Sequence, residues 1–125
     1  MRTTIQTDKA PAPIGPYSQA VRANGFIFIS GQIPVNPETG TLIKNDAENQ
    51  ARQVLKNLEA IVTAAGSSLS KMVKTTVYLI DMKDFPSVNR VYEEFLGDVK
   101  PARATVQVAR LPMDARIEID AVALT

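Results

Sequence analysis

The spacing of apolar positions changes along the chain, and each change marks an element. From Ala47 they fall at Ala51, Val54, Leu55, Leu58, Ile61, Val62 and Ala65. Intervals of three and four put one apolar stripe on a helix of about five turns at 3.6 residues each. Asp46 stands where an N-cap belongs and Gly66 at C′, while Glu48, Arg52, Lys56 and Glu59 form a solvated face. Phe85, Val88, Val91, Tyr92, Phe95 and Leu96 repeat the spacing in a second helix, capped by Asp84 and ended by Gly97. Elsewhere the period is two. Val73, Thr75, Val77 and Leu79 alternate with Lys74, Thr76 and Tyr78, which predicts a strand over 72–80. Asn24-Gly25 between the runs 18–22 and 26–30 is a strong hairpin signal. A short strand over 5–7 opens the chain, and strands over 104–110 and 116–124 close it as a hairpin joined by Leu111–Ala115. Prolines hold 10–16 as a loop, and Pro34, Pro37 and Gly40 mark a second one.

The predicted order is β–β–β–α–β–α–β–β in a single domain over 1–125, an α+β fold with two helices on one face of one mixed sheet. Such a sheet has a second face, and it is apolar: Phe26 and Phe28 point opposite to Ile27 and Ile29. An uncovered apolar face of several hundred Å2 exceeds what a monomer usually exposes, so self-association is expected.

Composition narrows the chemistry. There is no Cys and no His. That excludes disulfides, thiolate nucleophiles, the usual zinc sites and any imidazole base. A catalyst must then rely on carboxylate, arginine, hydroxyls and backbone dipoles. Fourteen basic and thirteen acidic residues give a net charge of +1, and the basic ones are scattered from Arg2 to Arg116, so no nucleic-acid interface is expected. No apolar run approaches the ~18 residues of a membrane span. The first residues lack a secretory h-region, which points to the cytoplasm. No phosphate loop and no acidic cluster with metal spacing occurs, so neither cofactor nor metal is expected.

Two residues stand out in the closing strands. Arg103 follows Pro101-Ala102 at a strand start, and Glu118 sits between Ile117 and Ile119. A carboxylate in so apolar a strand is costly to bury without partners. Either the two serve an edge or interface salt bridge, or Arg103 offers a fork to a substrate carboxylate while Glu118 faces water or an amine. Other candidates are Tyr17 and Ser18 at the end of the Pro-rich loop, Ser30-Gly31 at a strand end, and Asn89, which shares a helix face with Tyr92. Tyr92 also belongs to the core stripe, and Asp8, Asp81 and Asp84 read as caps and turns.

Taken together, the segments Ala12-Pro13-Ile14-Gly15-Pro16-Tyr17-Ser18-Gln19, Ile29-Ser30-Gly31-Gln32-Ile33-Pro34, Asn89-Arg90-Val91-Tyr92, Pro101-Ala102-Arg103 and Ile117-Glu118-Ile119 carry a resemblance. In this order they resemble the reactive intermediate deaminase (Rid) family, the 2-iminobutanoate/2-iminopropanoate deaminases, across nearly the whole chain. The resemblance implies a chorismate-mutase-like fold, a homotrimer with an inner barrel, and sites at the subunit interfaces. It also implies hydrolysis of 2-imino acids, in balance with their enamines, to 2-keto acids and ammonia. By the same resemblance the imines would come from pyridoxal-phosphate-dependent Ser/Thr dehydratases, and the hydrolysis would need no cofactor. Arg103 would clamp the carboxylate, and Glu118 would orient or deprotonate water. Backbone groups at Gly31 and Thr105 would fix the substrate, with Tyr17, Ser30 and Asn89 lining the site. Many members carry Cys where this chain has Thr105, so a thiol is not essential here. The rival readings are a carboxylate-binding regulatory protein, a chorismate mutase, for which Arg103 is the only cation placed in the site, and a ribonuclease.

The closing hairpin, taken as symmetric about Met113, sets Glu118 opposite Val108. Arg103 is then five residues further along, roughly 16 Å away at ~3.3 Å per residue. A three- or four-carbon substrate cannot bridge that distance, so a neighbouring chain is expected to supply one of the two residues.

Overall fold

The computed structural model describes residues 1–44 and 46–125. The elements are β1 (Arg2–Ile5), β2 (Ala20–Ala23), β3 (Phe26–Gln32), β4 (Val35–Asn36), β5 (Thr41–Leu42), α1 (Ala47–Ala64), β6 (Met72–Leu79), α2 (Phe85–Leu96), β7 (Ala102–Gln107) and β8 (Ile117–Leu124). Asp46 caps α1 as expected, its carboxylate accepting from Asn49 N–H at 2.9 Å. At the other end Gly66 is left-handed at φ 82°, Gly66 N–H donates to Thr63 O and Ser67 N–H to Val62 O. This double closure satisfies two terminal carbonyls. Asp84 departs from expectation. It occupies the N-cap position of α2, but its carboxylate accepts from Arg116 Nε and Nη2 at 3.0 and 2.8 Å rather than from a helix N–H.

Six strands form one mixed sheet in the order β1-β2-β3-β8-β6-β7, and β4 and β5 make a separate two-stranded ribbon in what the sequence presents as a loop. Asn24 and Gly25, both at positive φ (55° and 83°), turn β2 into β3, the two-residue hairpin that their pairing Ala23↔Phe26 requires.

The expected closing hairpin is absent. β7 pairs in parallel with β6, and β8 lies antiparallel between β3 and β6. A parallel pair needs a crossover, and α2 supplies it between β6 and β7. The chain then passes over the end of β6, where Val108 N–H donates to Leu79 O (2.8 Å) and Ile80 N–H to Arg116 O (3.2 Å). Met113 and Asp114, each at φ 58°, reverse its direction so that β8 fills the central gap. β7 is left as an edge strand.

Alternation along these strands assigns side chains to faces. Ile27, Ile29, Thr75, Val77, Leu79, Ile117, Ile119, Ala121 and Ala123 are buried beneath the helices, against Val54, Leu58, Ile61, Val88 and Val91. Phe26, Phe28, Tyr78, Val106, Glu118, Asp120, Val122 and Leu124 face the other way. Phe28 is 48% exposed and Leu124 43%, so the second face is indeed apolar and open in the single chain.

Candidate functional site

Arg103 begins at Pro101, which follows a strained residue. Lys100 is left-handed at φ 53°, and its N–H is held by Leu96 O at 3.0 Å at the end of α2. The residue before a proline is disfavoured in helical conformations, so this turn is set by the anchor to α2. Arg103 pairs with Thr75 of β6 and so lies on the helix side of the sheet. Its guanidinium sits 4.7 Å from the centre of the Tyr92 ring and 5.4 Å from that of Phe85, and Nη1 donates to Asn89 Oδ1 at 2.8 Å. Asn89 Nδ2 in turn donates to Glu93 Oε1 at 3.3 Å. The Tyr92 and Thr75 hydroxyls are hydrogen-bonded at 2.7 Å inside the core.

Glu118 pairs with Tyr78 and projects from the opposite face. It is half-buried, and burial, followed by repulsion from the Asp120 carboxylate, raises its pKa above the ordinary glutamate value. Asp120 accepts a hydrogen bond from Tyr78 Oη at 2.9 Å. Gly31 lies against Glu118 at a bulge between Ile29 and Gln32 of β3: a Cβ built there would stand 2.0 Å from Glu118 Oε2. Only glycine leaves room for the carboxylate in this position. Ser30 ties neighbouring segments together, its hydroxyl donating to Ser18 O at 2.6 Å and its N–H to Gln19 O at 2.9 Å. The buried Gln19 side chain in turn bonds Thr7, Ala10 and Pro11, fixing the Pro-rich loop that carries Tyr17. Tyr17, Ser30, Gly31 and Asp120 line one hollow, and Asn89, Tyr92 and Arg103 line another.

The candidates therefore form two groups. Tyr17, Ser30, Gly31 and Glu118 cluster beside the open face, and Arg103 and Asn89 cluster at α2. Glu118 aligns through Tyr78 with Val106, not with Val108, which puts Arg103 three residues and two strands away. At ~3.3 Å per residue and ~4.8 Å per strand the backbones are roughly 14 Å apart, with the side chains on opposite faces. The separation expected from the hairpin persists, for a different reason. Thr105 sits on the helix side, level with Val77, and its hydroxyl is the only buried side-chain polar atom among the described residues without a hydrogen-bond partner. Among the described residues, no three acidic side chains converge as a metal would require.

Comparison with known proteins places this arrangement. The model of the family described as Endoribonuclease L-PSP matches residues 7–125. This chain belongs to the Rid family, of which L-PSP is another name. A RutC family protein of Pyrococcus horikoshii is 55% identical over 98% of both chains. The mouse 2-iminobutanoate/2-iminopropanoate deaminase is 48% identical over 99% of this chain and 92% of that one. A Thermotoga maritima crystal structure superimposes with a TM-score of 0.98 at 49% identity, covering 100% of this chain and 98% of that one. Escherichia coli TdcF with bound serine gives 0.94 at 45% identity over 98% of both chains.

Within this Rid chain, two positions near Arg103 do more than the core packing expected of them. Tyr92 reads in the sequence as core and Phe85 as part of the same stripe, yet each presents a ring to the guanidinium while packing into the domain. The available signal was the spacing: Phe85, Asn89 and Tyr92 stand at i, i+4 and i+7, one face of α2. Asp120 and Tyr78 were missed because neither belongs to a segment that carried the resemblance.

Proposed function

We propose that this Rid protein hydrolyses small 2-imino acids to 2-keto acids, with Arg103 and Glu118 from different copies of the chain forming each site. The observation that carries this reading is the form of the two half-sites. One offers a guanidinium beside two aromatic rings and with one N–H on Asn89, leaving donors for a carboxylate. The other offers a half-buried carboxylate of raised pKa, suited to accept a proton from water. The 48% identity to the mouse deaminase supports the same chemistry.

The reaction balances without an external oxidant or cofactor. The substrate is an iminium carboxylate, R–C(=NH2+)–COO−. Water adds to its C=N carbon as Glu118 takes one water proton, giving a carbinolamine. Glu118 returns that proton to the amine nitrogen, the C–N bond breaks and NH3 leaves. The carbinol O–H proton passes through Glu118 to the ammonia as the C=O forms, giving a 2-keto acid and NH4+. Arg103 holds the carboxylate bidentately, and backbone groups at Gly31 and Thr105, with Tyr17, complete the pocket. Positioning water against an already electrophilic carbon is the main contribution. A second copy of the chain would also cover the exposed Phe26 and Phe28 face, in keeping with the trimer that the family resemblance implies. The substrate's source is a pyridoxal-phosphate-dependent Ser/Thr dehydratase in the same compartment, taken to be the cytoplasm.

One observation favours a second reading. TdcF is described with serine bound, an amino acid rather than an imine, which suits a carboxylate-binding regulatory protein. Turnover separates the two. With a dehydratase plus serine or threonine generating the imine, the deaminase reading expects faster imine decay when this protein is added. Binding of small carboxylates without faster decay would leave only the regulatory reading. A ribonuclease reading lacks both the imidazole and the concentrated basic patch that would support it.

A further inference from the structure

Arg103 is the least supported of the site residues by its own strand. β7 is an edge strand and Arg103 is exposed, so nothing in the sheet fixes a side chain with four rotatable bonds. A flexible guanidinium must be ordered when it binds a carboxylate, and that ordering weakens binding. The neighbouring face of α2 removes the problem. Phe85, Asn89 and Tyr92 stand under the guanidinium at successive turns, with the Tyr92 ring nearest at 4.7 Å.

We propose that this face of α2 is a preorganising cradle for Arg103 and that Tyr92 is its principal positioning residue. Tyr92 is 6% exposed, and its hydroxyl is locked to the fully buried Thr75 hydroxyl at 2.7 Å. Thr75 is the β6 partner of Arg103 itself. The platform is thus fixed to the strand that sets the arginine's own backbone, and ring and guanidinium keep a constant relation. The guanidinium carbon stands 4.7 Å from the ring centre, within cation–π reach. Asn89 takes one Nη1–H, its amide oriented by Glu93 at 3.3 Å. The guanidinium's other N–H donors are then available to a planar bidentate carboxylate. Asn89 is accordingly a partner of Arg103 rather than a direct substrate contact. Tyr92 touches no reacting atom and acts only through Arg103.

This inference rests on the role of Arg103 proposed above, so its test reads Arg103 directly as well as through turnover. The variants are Tyr92→Phe, which keeps the ring, and Tyr92→Leu, which removes it. Nitrogen-15 spectra of the full-length protein report whether the Arg103 guanidinium rotates freely, using Arg103→Ala to assign its signals. Wild type and Tyr92→Phe are expected to show distinct, slowly exchanging Nη signals, and Tyr92→Leu a single averaged one. In steady-state imine hydrolysis, Tyr92→Leu is expected to raise KM about three- to thirtyfold, the range of a cation–π contact, with kcat within about threefold. If Tyr92→Leu fails to fold, Tyr92→Met takes its place with the same expectation. Unchanged Arg103 signals in the ring-less variants overturn the cradle whatever the activity shows. An ordered Arg103 in a wild-type protein that never hydrolyses imines leaves the cradle standing and removes the deaminase reading instead. A ring-less variant that loses kcat with KM unchanged also overturns the positioning role.

Discussion

Replacing Gly31 by alanine isolates the placement of Glu118 from its chemistry. Gly31 is not among the positive-φ glycines, so alanine fits the backbone of β3. The obstacle is the Glu118 side chain: the new Cβ would lie 2.0 Å from Oε2, 2.9 Å from Cδ and 3.2 Å from Cγ. Ordinary contact begins near 3.4 Å, so Oε2 must retreat by at least 3.4 − 2.0 = 1.4 Å. The colliding atoms are the far end of a flexible side chain, and the fold survives by moving them. A misplacement of about 1 Å in a catalytic group costs about a hundredfold in rate, equivalent to ~2.7 kcal/mol. The coupled imine-decay assay should therefore show kcat/KM down about a hundredfold in Gly31→Ala, with an unchanged circular dichroism spectrum. A double-mutant cycle sharpens the result. In Glu118→Ala the colliding atoms are gone, so adding Gly31→Ala should cost little further activity. Wild-type kcat/KM in Gly31→Ala would refute the role assigned to the carboxylate's position.

Arg103→Ala should abolish imine hydrolysis with the fold intact, and Arg103→Lys should restore little because a point charge cannot form the planar fork; wild-type turnover in Arg103→Ala counts against the clamp. Thr105→Val should raise stability by about 1 kcal/mol, or about 4 °C in Tm, by removing an unpaired buried hydroxyl while filling the same volume; thermal melts decide, and a lower Tm contradicts it. Glu118→Gln should gain stability at neutral pH. Because the folded-state pKa of Glu118 is raised, the stability tied to its protonated form is complete below the unfolded value and lost as pH rises through the folded one. The variant's Tm should exceed wild type at pH 8, and the gap should close toward pH 4; equal Tm values at pH 8 speak against the raised pKa. Co-refolded Arg103→Ala and Glu118→Ala chains should regain part of the activity that each lacks alone, and failure despite verified mixing sinks the shared site.

Local elements were legible because local chemistry specifies them. Asp46, the 3–4 spacing and Gly66 define α1 to within a residue, and Asn24-Gly25 could hardly be anything but a tight turn. Strand pairing was not legible in the same way. Segments 104–110 and 116–124 are separated by five residues, and proximity in sequence suggests a hairpin. The parallel partner of β7 is β6, and the helix between them makes that pairing possible. Nothing local to β7 states which neighbour it takes. Site residues divide along the same line. Arg103 and Glu118 stood out by type and setting, and Gly31 only as one of several further candidates. Tyr92 did not, because a tyrosine in a core stripe looks alike whether its ring meets a leucine or a guanidinium. Asp84 also misled: an acidic residue ahead of a helix reads as a cap, but Arg116, distant in sequence, competes for its carboxylate.

The parity of β6 sets Arg103 and Glu118 on opposite faces of the sheet in a single chain. Arg103 aligns with Thr75 and Glu118 with Tyr78. Positions 75 and 78 differ by an odd number, and a strand without a bulge between them turns successive side chains to opposite faces. The one irregularity in the β6–β8 pairing lies between Met72 and Lys74, outside that interval. No rotamer of either side chain passes through a sheet whose β6 strand is paired on both sides. With the proposed chemistry, a guanidinium on the helix side and a carboxylate on the open side can share a small substrate only when the open face of one chain meets the β7 edge of another. The same contact would cover Phe28 and give β7 a neighbour. On that proposal catalysis and assembly depend on one surface. Phe28→Asp should then lower both the oligomer mass in sedimentation and the rate of imine decay without touching a reacting group, and full activity in a monomeric Phe28→Asp protein would refute the shared surface.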